Sequence, residues 1–143
     1  MQHAYAFEVG DDDSDVVVGY FMWRFLTVKL EVCPEDISDY CVDWITNCPV
    51  VHIEYIAIDK LYQCKGVGKF IIYHILNQTM ELCKTIPSRL ITLDALKEKC
   101  DWYQSLGFCV FDENDKYNDS SPIVRMYIDC LLNKELVDNY IEV

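Results

Sequence analysis

Residues 50–70 read VVHIEYIAIDKLYQCKGVGKF, and this stretch sets the architecture of the whole chain. Its first part, Val50 to Ile58, predicts a strand because apolar and β-branched side chains dominate it. Its last part predicts a helix that runs to about Lys84, before Pro87. A two-residue period divides the strand into two faces: Val51, Ile53, Tyr55 and Ala57 on one, His52, Glu54, Ile56 and Ile58 on the other.

A glycine loop joins this strand to this helix. Gly66 and Gly68 let the backbone approach a ligand closely, and the following helix start supplies N–H donors and a positive partial charge. Lys60, Lys65 and Lys69 surround the loop in a chain that is otherwise poor in cations. These features predict a phosphate-binding site, with a plain strand-to-helix turn as the alternative.

The flanking sequence predicts a mixed sheet carrying two main helices, in one domain over residues 1–143. The predicted elements are a strand Ala4–Val9, a turn Gly10–Asp15, a long strand Val16–Val32 that forms a hairpin with the first, a short helix Pro34–Ile45, a buried strand Arg89–Ala95, a short helix Leu96–Ser105 closed by Gly107, a strand Phe108–Asp112, a polar loop Glu113–Pro122 and a strand Ile123–Leu132 antiparallel to the one before. The last segment, Asn133 to Val143, is weakly helical or extended.

Composition narrows the class of protein. The 143 residues include 24 acidic and 12 basic side chains, a formal charge of -12, which disfavours nucleic acid and anionic membranes as partners and suits a cationic one. Eight cysteines form no C-x-x-C pair and no His lies at finger spacing, so we expect reduced, mostly buried thiols and no metal site. Without a signal peptide pattern or a long apolar run, the sequence predicts a cytoplasmic protein that does not span a membrane.

Two common phosphate motifs are excluded by single positions of the loop. A nucleotide P-loop would need Gly where Gln63 stands and Ser or Thr where Phe70 stands. A dinucleotide fingerprint would need a third Gly where Ile71 stands.

The remaining pattern, Gln63-x-x-Gly66-x-Gly68 after a strand, resembles the acetyl-CoA motif of the GNAT N-acetyltransferase superfamily. A second segment, from Cys100 to Phe108, resembles the family's second motif, an aromatic–Tyr pair before a short helix end and Gly-Phe. The interval between the motifs fits one long helix, one strand and one short helix, and the likeness covers about residues 16–129.

The resemblance implies an α/β fold with a mixed, mostly antiparallel sheet, two main helices, a short extra helix and a shortened N-terminal part. It implies acetyl-CoA as co-substrate, with the pantetheine arm paired to the strand that ends the first motif. The residues that would bind the cofactor are Ile56, Ala57 and Ile58 for pantetheine, and Gln63, Cys64, Lys65, Gly66, Val67, Gly68 and Lys69 for the pyrophosphate.

The resemblance also implies direct attack of an amine on the thioester. Tyr103 is the candidate acid for the departing thiolate, with a core aromatic as the alternative. Glu54 is the first candidate for the base and His52 the second, because a carboxylate or a neutral imidazole can take the amine proton. Cys64 is interpreted as a bystander, since no His or carboxylate partner is readable near it.

The acceptor is predicted to be a primary amine on a cationic small molecule or a lysine: a polyamine, an aminoglycoside or a lysine peptide. Two alternatives stay open. The run Leu93-Asp94-Ala95 before the Tyr103 helix also resembles GNAT toxins that acetylate aminoacyl-tRNA. A non-catalytic CoA-binding module is the other, because the N-terminal region that walls the acceptor site in the family is short here. Leu96 also stands near a position where many members have Asn. A homodimer could complete the wall.

Overall fold

A computed structural model describes residues 2–11, 14–28, 48–83, 85, 88 and 90–130. Its strands are β1 Gln2–Asp11, β2 Ser14–Val28, β3 Cys48–Ile58, β4 Leu90–Leu96, β5 Cys109–Val110 and β6 Ile123–Asp129. They form a six-stranded sheet in the order β1-β2-β3-β4-β6-β5. The β3–β4 pair is parallel and the other neighbours are antiparallel, which confirms the mixed, mostly antiparallel sheet.

In the described residues, two α-helices lie between strands. The first, α1, spans Val67–Cys83 and makes the parallel crossover from β3 to β4; the second, α2, spans Cys100–Ser105. One face of α1 is fully buried on the sheet, through Ile71, Ile72, Ile75 and Leu76. Fully burying one such side chain stabilises the fold by about 1.5–3 kcal/mol, so this contact fixes the start of α1 against the sheet.

Most sequence-predicted elements are confirmed within these ranges, and their ends shift. The hairpin is tighter than predicted, since β1 continues to Asp11 and β2 begins at Ser14. The predicted helix over 96–105 is a 3-10 turn, Lys97–Lys99, followed by α2, and Gly107 closes it with φ 102°. The strand predicted over 108–112 is only Cys109–Val110. The predicted Pro34–Ile45 helix and the segment 133–143 lie outside the described residues.

The face assignment of β3 was wrong beyond Ile53. Met22 pairs with Tyr55 and Trp23 with Ile53, so Glu54 is an extra residue, a β-bulge. After it, Ile56 and Ile58 pack against the core that Val51 and Ile53 enter, whereas Tyr55 is exposed. The bulge inserts one residue and so shifts the two-residue alternation by one position.

No helix among the described residues is long and apolar enough to cross a membrane. Within the same residues, no group of His, Cys, Asp and Glu has the arrangement of a metal site. The thiols of Cys100 and Cys130 are buried, while those of Cys64 and Cys109 are exposed.

Candidate active site

The centre of the sheet opens into a fork. Strands β3 and β4 pair from Val50 with Leu90 to Ile53 with Leu93. Beyond these pairs, β3 continues to Ile58 and β4 to Leu96 without pairing to each other. The facing backbone edges of the two strands are therefore available to an extended ligand, because a strand edge pairs readily with another chain.

A tight loop follows β3 at the open end of the fork. The Asp59 carboxylate accepts a 2.8 Å hydrogen bond from the Leu61 N–H, and the Gln63 side chain donates one of 2.9 Å to the Ile58 carbonyl. The second bond ties the loop back to the strand, so Gln63 holds the loop in place. Cys64 and Gly66 both adopt positive φ, 59° and 83°, which turns the chain into α1.

The two glycines of the loop have different surroundings. A methyl group on Gly66 would meet nothing within 4 Å, so the loop is open there to a ligand. A methyl group on Gly68 would lie 3.1 Å from Cζ2 of Trp102, so the α2 aromatic ring packs directly on the start of α1. The Phe70 N–H donates to the Gly66 carbonyl at 3.0 Å, the first bond of the helix. Helix geometry leaves the preceding N–H groups of Val67 and Gly68 without helical acceptors.

The cations near the loop are exposed. The Lys65 ammonium lies 5.9 Å from the centre of the Tyr62 ring, and the Lys69 ammonium lies 5.7 Å from the centre of the Tyr73 ring. Together with the first-turn amides, they concentrate positive charge and N–H donors at this end of the fork.

Tyr103 lies on α2, next to the residue that covers Gly68. Its half-buried ring packs edge-on against Trp102 at 4.8 Å and against Phe108 at 5.8 Å. Burial raises the pKa of the Tyr103 phenol above its ordinary value, because the phenolate would lose solvation. The hydroxyl therefore stays protonated at neutral pH and can donate a proton.

His52 stands at the base of the fork, on the sheet face opposite α1. Its Nδ1 is 2.8 Å from the hydroxyl of Thr92, the residue it pairs with on β4. Its Nε2 is 3.9 Å from the Asp94 carboxylate, too far for a hydrogen bond. Burial lowers the pKa of His52 below its ordinary value. The nearby carboxylates of Asp94 and Glu54 oppose this shift. The positive charges of Arg125 and Arg24 add to it. The imidazole is therefore neutral at pH 7.

Each carboxylate at the base of the fork has an arginine from a neighbouring strand. Arg24 on β2 contacts Glu54 at 2.7 Å, and Arg125 on β6 contacts Asp94 at 3.3 Å. The Glu54 side chain is 18% exposed and the Asp94 side chain 31%. Asp94 is therefore the more accessible of the two carboxylates.

A family model supports what this geometry indicates. The model for the acetyltransferase (GNAT) family matches residues 2–108. The chain belongs to the GNAT acetyltransferase family. This family uses acetyl-CoA, which is therefore the co-substrate of this GNAT chain. The open fork and the unobstructed loop at Gly66 fit an extended pantetheine arm followed by a diphosphate.

Solved structures with the same fold include KacT and the toxin AtaT. A crystal structure of a Tyr-to-Phe mutant of KacT is 23% identical, with TM-score 0.77, covering 94% of this chain and 75% of that one. AtaTR bound with AcCoA is 20% identical, with TM-score 0.71 and coverage of 94% and 74%. AtaT complexed with acetyl-methionyl-tRNAfMet is 21% identical, with TM-score 0.68 and coverage of 84% and 66%. No curated protein sequence matches the chain.

The structure brings most of the sequence-predicted site residues of this GNAT chain to the fork. Those predicted to bind the cofactor, Ile56–Ile58 and Gln63–Lys69, follow one another along its open end, and His52 and Glu54 lie at its base. Sequence reasoning missed Thr92, Asp94 and the two arginines as site residues. A charged residue inside the otherwise apolar β4 was the available signal for Asp94; the arginines depend on strand register.

Proposed function

We propose that this GNAT chain transfers the acetyl group of acetyl-CoA to a primary amine by direct attack. The observation that carries the proposal is the fork between β3 and β4, with an amide-lined loop at its open end and a neutral imidazole at its base. Backbone of Ile56–Ile58 would pair with pantetheine, and the loop from Gln63 to Lys69 would hold the diphosphate.

His52 is the base that the contacts favour over Glu54. The Glu54 carboxylate is engaged by Arg24 at 2.7 Å, so one of its oxygens already accepts a charge-assisted bond. If Nδ1–H of His52 donates to Thr92, the lone pair is left on Nε2, which faces the fork base. Glu54 remains the second candidate.

In the proposed reaction, His52 accepts a proton from the acceptor and Tyr103 donates one to the departing thiolate. The ammonium of the acceptor loses a proton to His52, and its nitrogen attacks the thioester carbon. The C–N bond forms and the C–S bond breaks. The thiolate takes a proton from Tyr103, which recovers one from the amide nitrogen of the product. Tyr103 stays protonated until that moment because burial raises its pKa.

The test is release of CoA thiol with acetyl-CoA and polyamines, aminoglycosides or lysine peptides. Tyr103→Phe should lower kcat about 10²-fold, the usual scale for a lost general acid, and leave CoA affinity unchanged. Tyr117→Phe is the matched control, because that tyrosine is 79% exposed, in the turn Glu113–Tyr117. An unchanged rate in Tyr103→Phe, or no turnover with any amine, would contradict the proposal.

A second candidate function is acetylation of aminoacyl-tRNA. It is favoured by the fold neighbours, since AtaT was solved with acetyl-methionyl-tRNAfMet. The charge of -12 argues against it, because tRNA binding needs a cationic surface. Expression in bacteria distinguishes the two: arrest of growth that Tyr103→Phe abolishes supports the tRNA substrate, and normal growth contradicts it.

A further inference from the structure

Asp94 and His52 face each other across the base of the fork without bonding. The nearest atoms, Asp94 Oδ2 and His52 Nε2, are 3.9 Å apart. His52 directs its other nitrogen to Thr92, which is fully buried. Nε2 of His52 and the near carboxylate oxygen of Asp94 therefore border the same space.

A primary ammonium group has the geometry to contact both atoms. Hydrogen bonds of about 2.8 Å from one nitrogen to two atoms 3.9 Å apart would subtend about 90°, near the angle between N–H bonds. A hydroxyl cannot satisfy both atoms, because it carries a single proton.

The charges around this space also select a cation. Arg125 holds the far oxygen of Asp94 at 3.3 Å, which orients the carboxylate and leaves its near oxygen toward His52. Arg24 is engaged by Glu54 at 2.7 Å. With neutral His52, the carboxylate oxygen is the nearest charged atom to the incoming group.

We propose that Asp94 binds the acceptor, holding its ammonium group against His52 so that the site selects protonated primary amines over alcohols. This assignment rests on the proposed transferase function and names its acceptor subsite. One proton transfer completes it: an N–H bond of the ammonium breaks and an Nε2–H bond on His52 forms, which leaves the amine neutral for attack.

The test measures binding and needs no turnover. The protein is saturated with CoA, and 1,5-diaminopentane is titrated in at pH 7 while ring 15N signals of His52 are followed by NMR. The wild type should show a saturable shift, and Asp94→Asn should weaken the binding at least about tenfold. Asp94→Glu, which retains the charge, should recover much of it. Asp115→Asn, in the turn Glu113–Tyr117, should bind like the wild type.

The neutral probe 1,5-pentanediol is the chemical control and should cause no shift. Equal binding by Asp94→Asn and the wild type would overturn the inference, as would a comparable shift from the diol or no shift from the diamine. Thermal unfolding of Asp94→Asn shows whether the variant is folded, and the Asp94→Glu arm remains decisive if it is not.

The outcomes separate this inference from the transferase proposal. If amines turn over through Tyr103 but the acceptor KM of Asp94→Asn equals that of the wild type, the proposed Asp94 subsite is wrong and the transferase proposal is retained. If no amine turns over but the diamine still binds through Asp94, the transferase proposal is wrong, and only the binding of an ammonium group by Asp94 is retained.

Discussion

At the scale of single residues, the loop shows that two glycines in one motif do different work. Gly66 provides a backbone conformation, with φ 83° and open space around its missing side chain. Gly68 provides room for a neighbour, since the Trp102 ring occupies the space a side chain would need. The first glycine leaves open space at the loop, and the second allows α2 to pack on α1.

Substitution by alanine should separate these roles. Gly66→Ala should cost about 1–2 kcal/mol of stability, from the left-handed backbone, and weaken CoA binding because its methyl group enters the open space. Gly68→Ala should destabilise the wild type but stabilise a Trp102→Phe background by about 1 kcal/mol, where helix propensity is unopposed. Urea unfolding and calorimetry with CoA provide the measurements. Wild-type CoA affinity in Gly66→Ala would contradict the loop assignment.

The titration of His52 gives a second prediction at this scale. Burial sets the pKa of His52 below 6.5. The neutral imidazole is therefore lost, and kcat/KM falls, only when the pH drops through this lowered pKa. Arg125→Gln removes a cation that lowers the pKa of His52, and should move the acidic limb of the pH profile of kcat/KM to higher pH. Asp94→Asn removes an anion that raises it and should move the limb to lower pH. NMR titration of the His52 ring provides the direct check, and shifts of the opposite sign would contradict the charge arrangement.

At the scale of elements, the bulge at Glu54 is the feature that relates β3 to the fork. It lies directly after Ile53, the last residue of β3 that pairs with β4. A bulge bends its strand and increases the local twist, which moves the rest of β3 away from a neighbour that lacks the bulge. Opening of the fork is therefore a consequence of one extra residue.

Deletion of Glu54 should close the fork without unfolding the protein. The deletion restores regular pairing between β2 and β3 and leaves Ile53 and Ile56 on the core face. The melting temperature should therefore change by only a few degrees, which corresponds to about 1 kcal/mol in the free energy of unfolding. CoA affinity should fall at least about tenfold. Glu54→Gln is the matched control, because it keeps the bulge and should retain CoA affinity. If the deletion variant binds CoA like the wild type, the bulge does not open the fork.

At the scale of the whole molecule, the sign of the charge is locally reversed. The chain carries -12 overall, yet Lys60, Lys65 and Lys69 surround the loop that we propose holds the diphosphate. A negative field over the rest of the surface attracts cationic acceptors from a distance and repels polyanions. The single domain over residues 1–143, the homodimer and the cytoplasmic location stay predictions.

Salt dependence tests this long-range field. With spermidine as acceptor, kcat/KM should fall as the salt concentration rises from about 0.02 to 0.3 M, because screening shortens the reach of the charges. Bulk tRNA should show no change in fluorescence anisotropy at about 0.15 M salt, where phosphate contacts dominate affinity. Tight tRNA binding with a steep salt slope would contradict the cationic acceptor and favour the tRNA substrate.

The sequence by itself determined the order of the elements and the position of the loop. Periodicity identified β3, α1 and β4, because burial of one face repeats at intervals that neighbouring residues reveal. The pair Gly66 and Gly68 identified the loop, because positive φ and close packing both favour glycine.

Only the tertiary structure decided which side chains meet at the fork. The bulge at Glu54 depends on pairing with β2, so alternation along β3 alone placed Tyr55 on the wrong face. Asp94 reaches His52, and Arg125 reaches Asp94, through the register between strands whose residues are 31 or more positions apart. A local pattern records the environment of a residue along its own strand. Contacts across a sheet are set by the hydrogen-bond register between strands, which no single segment contains.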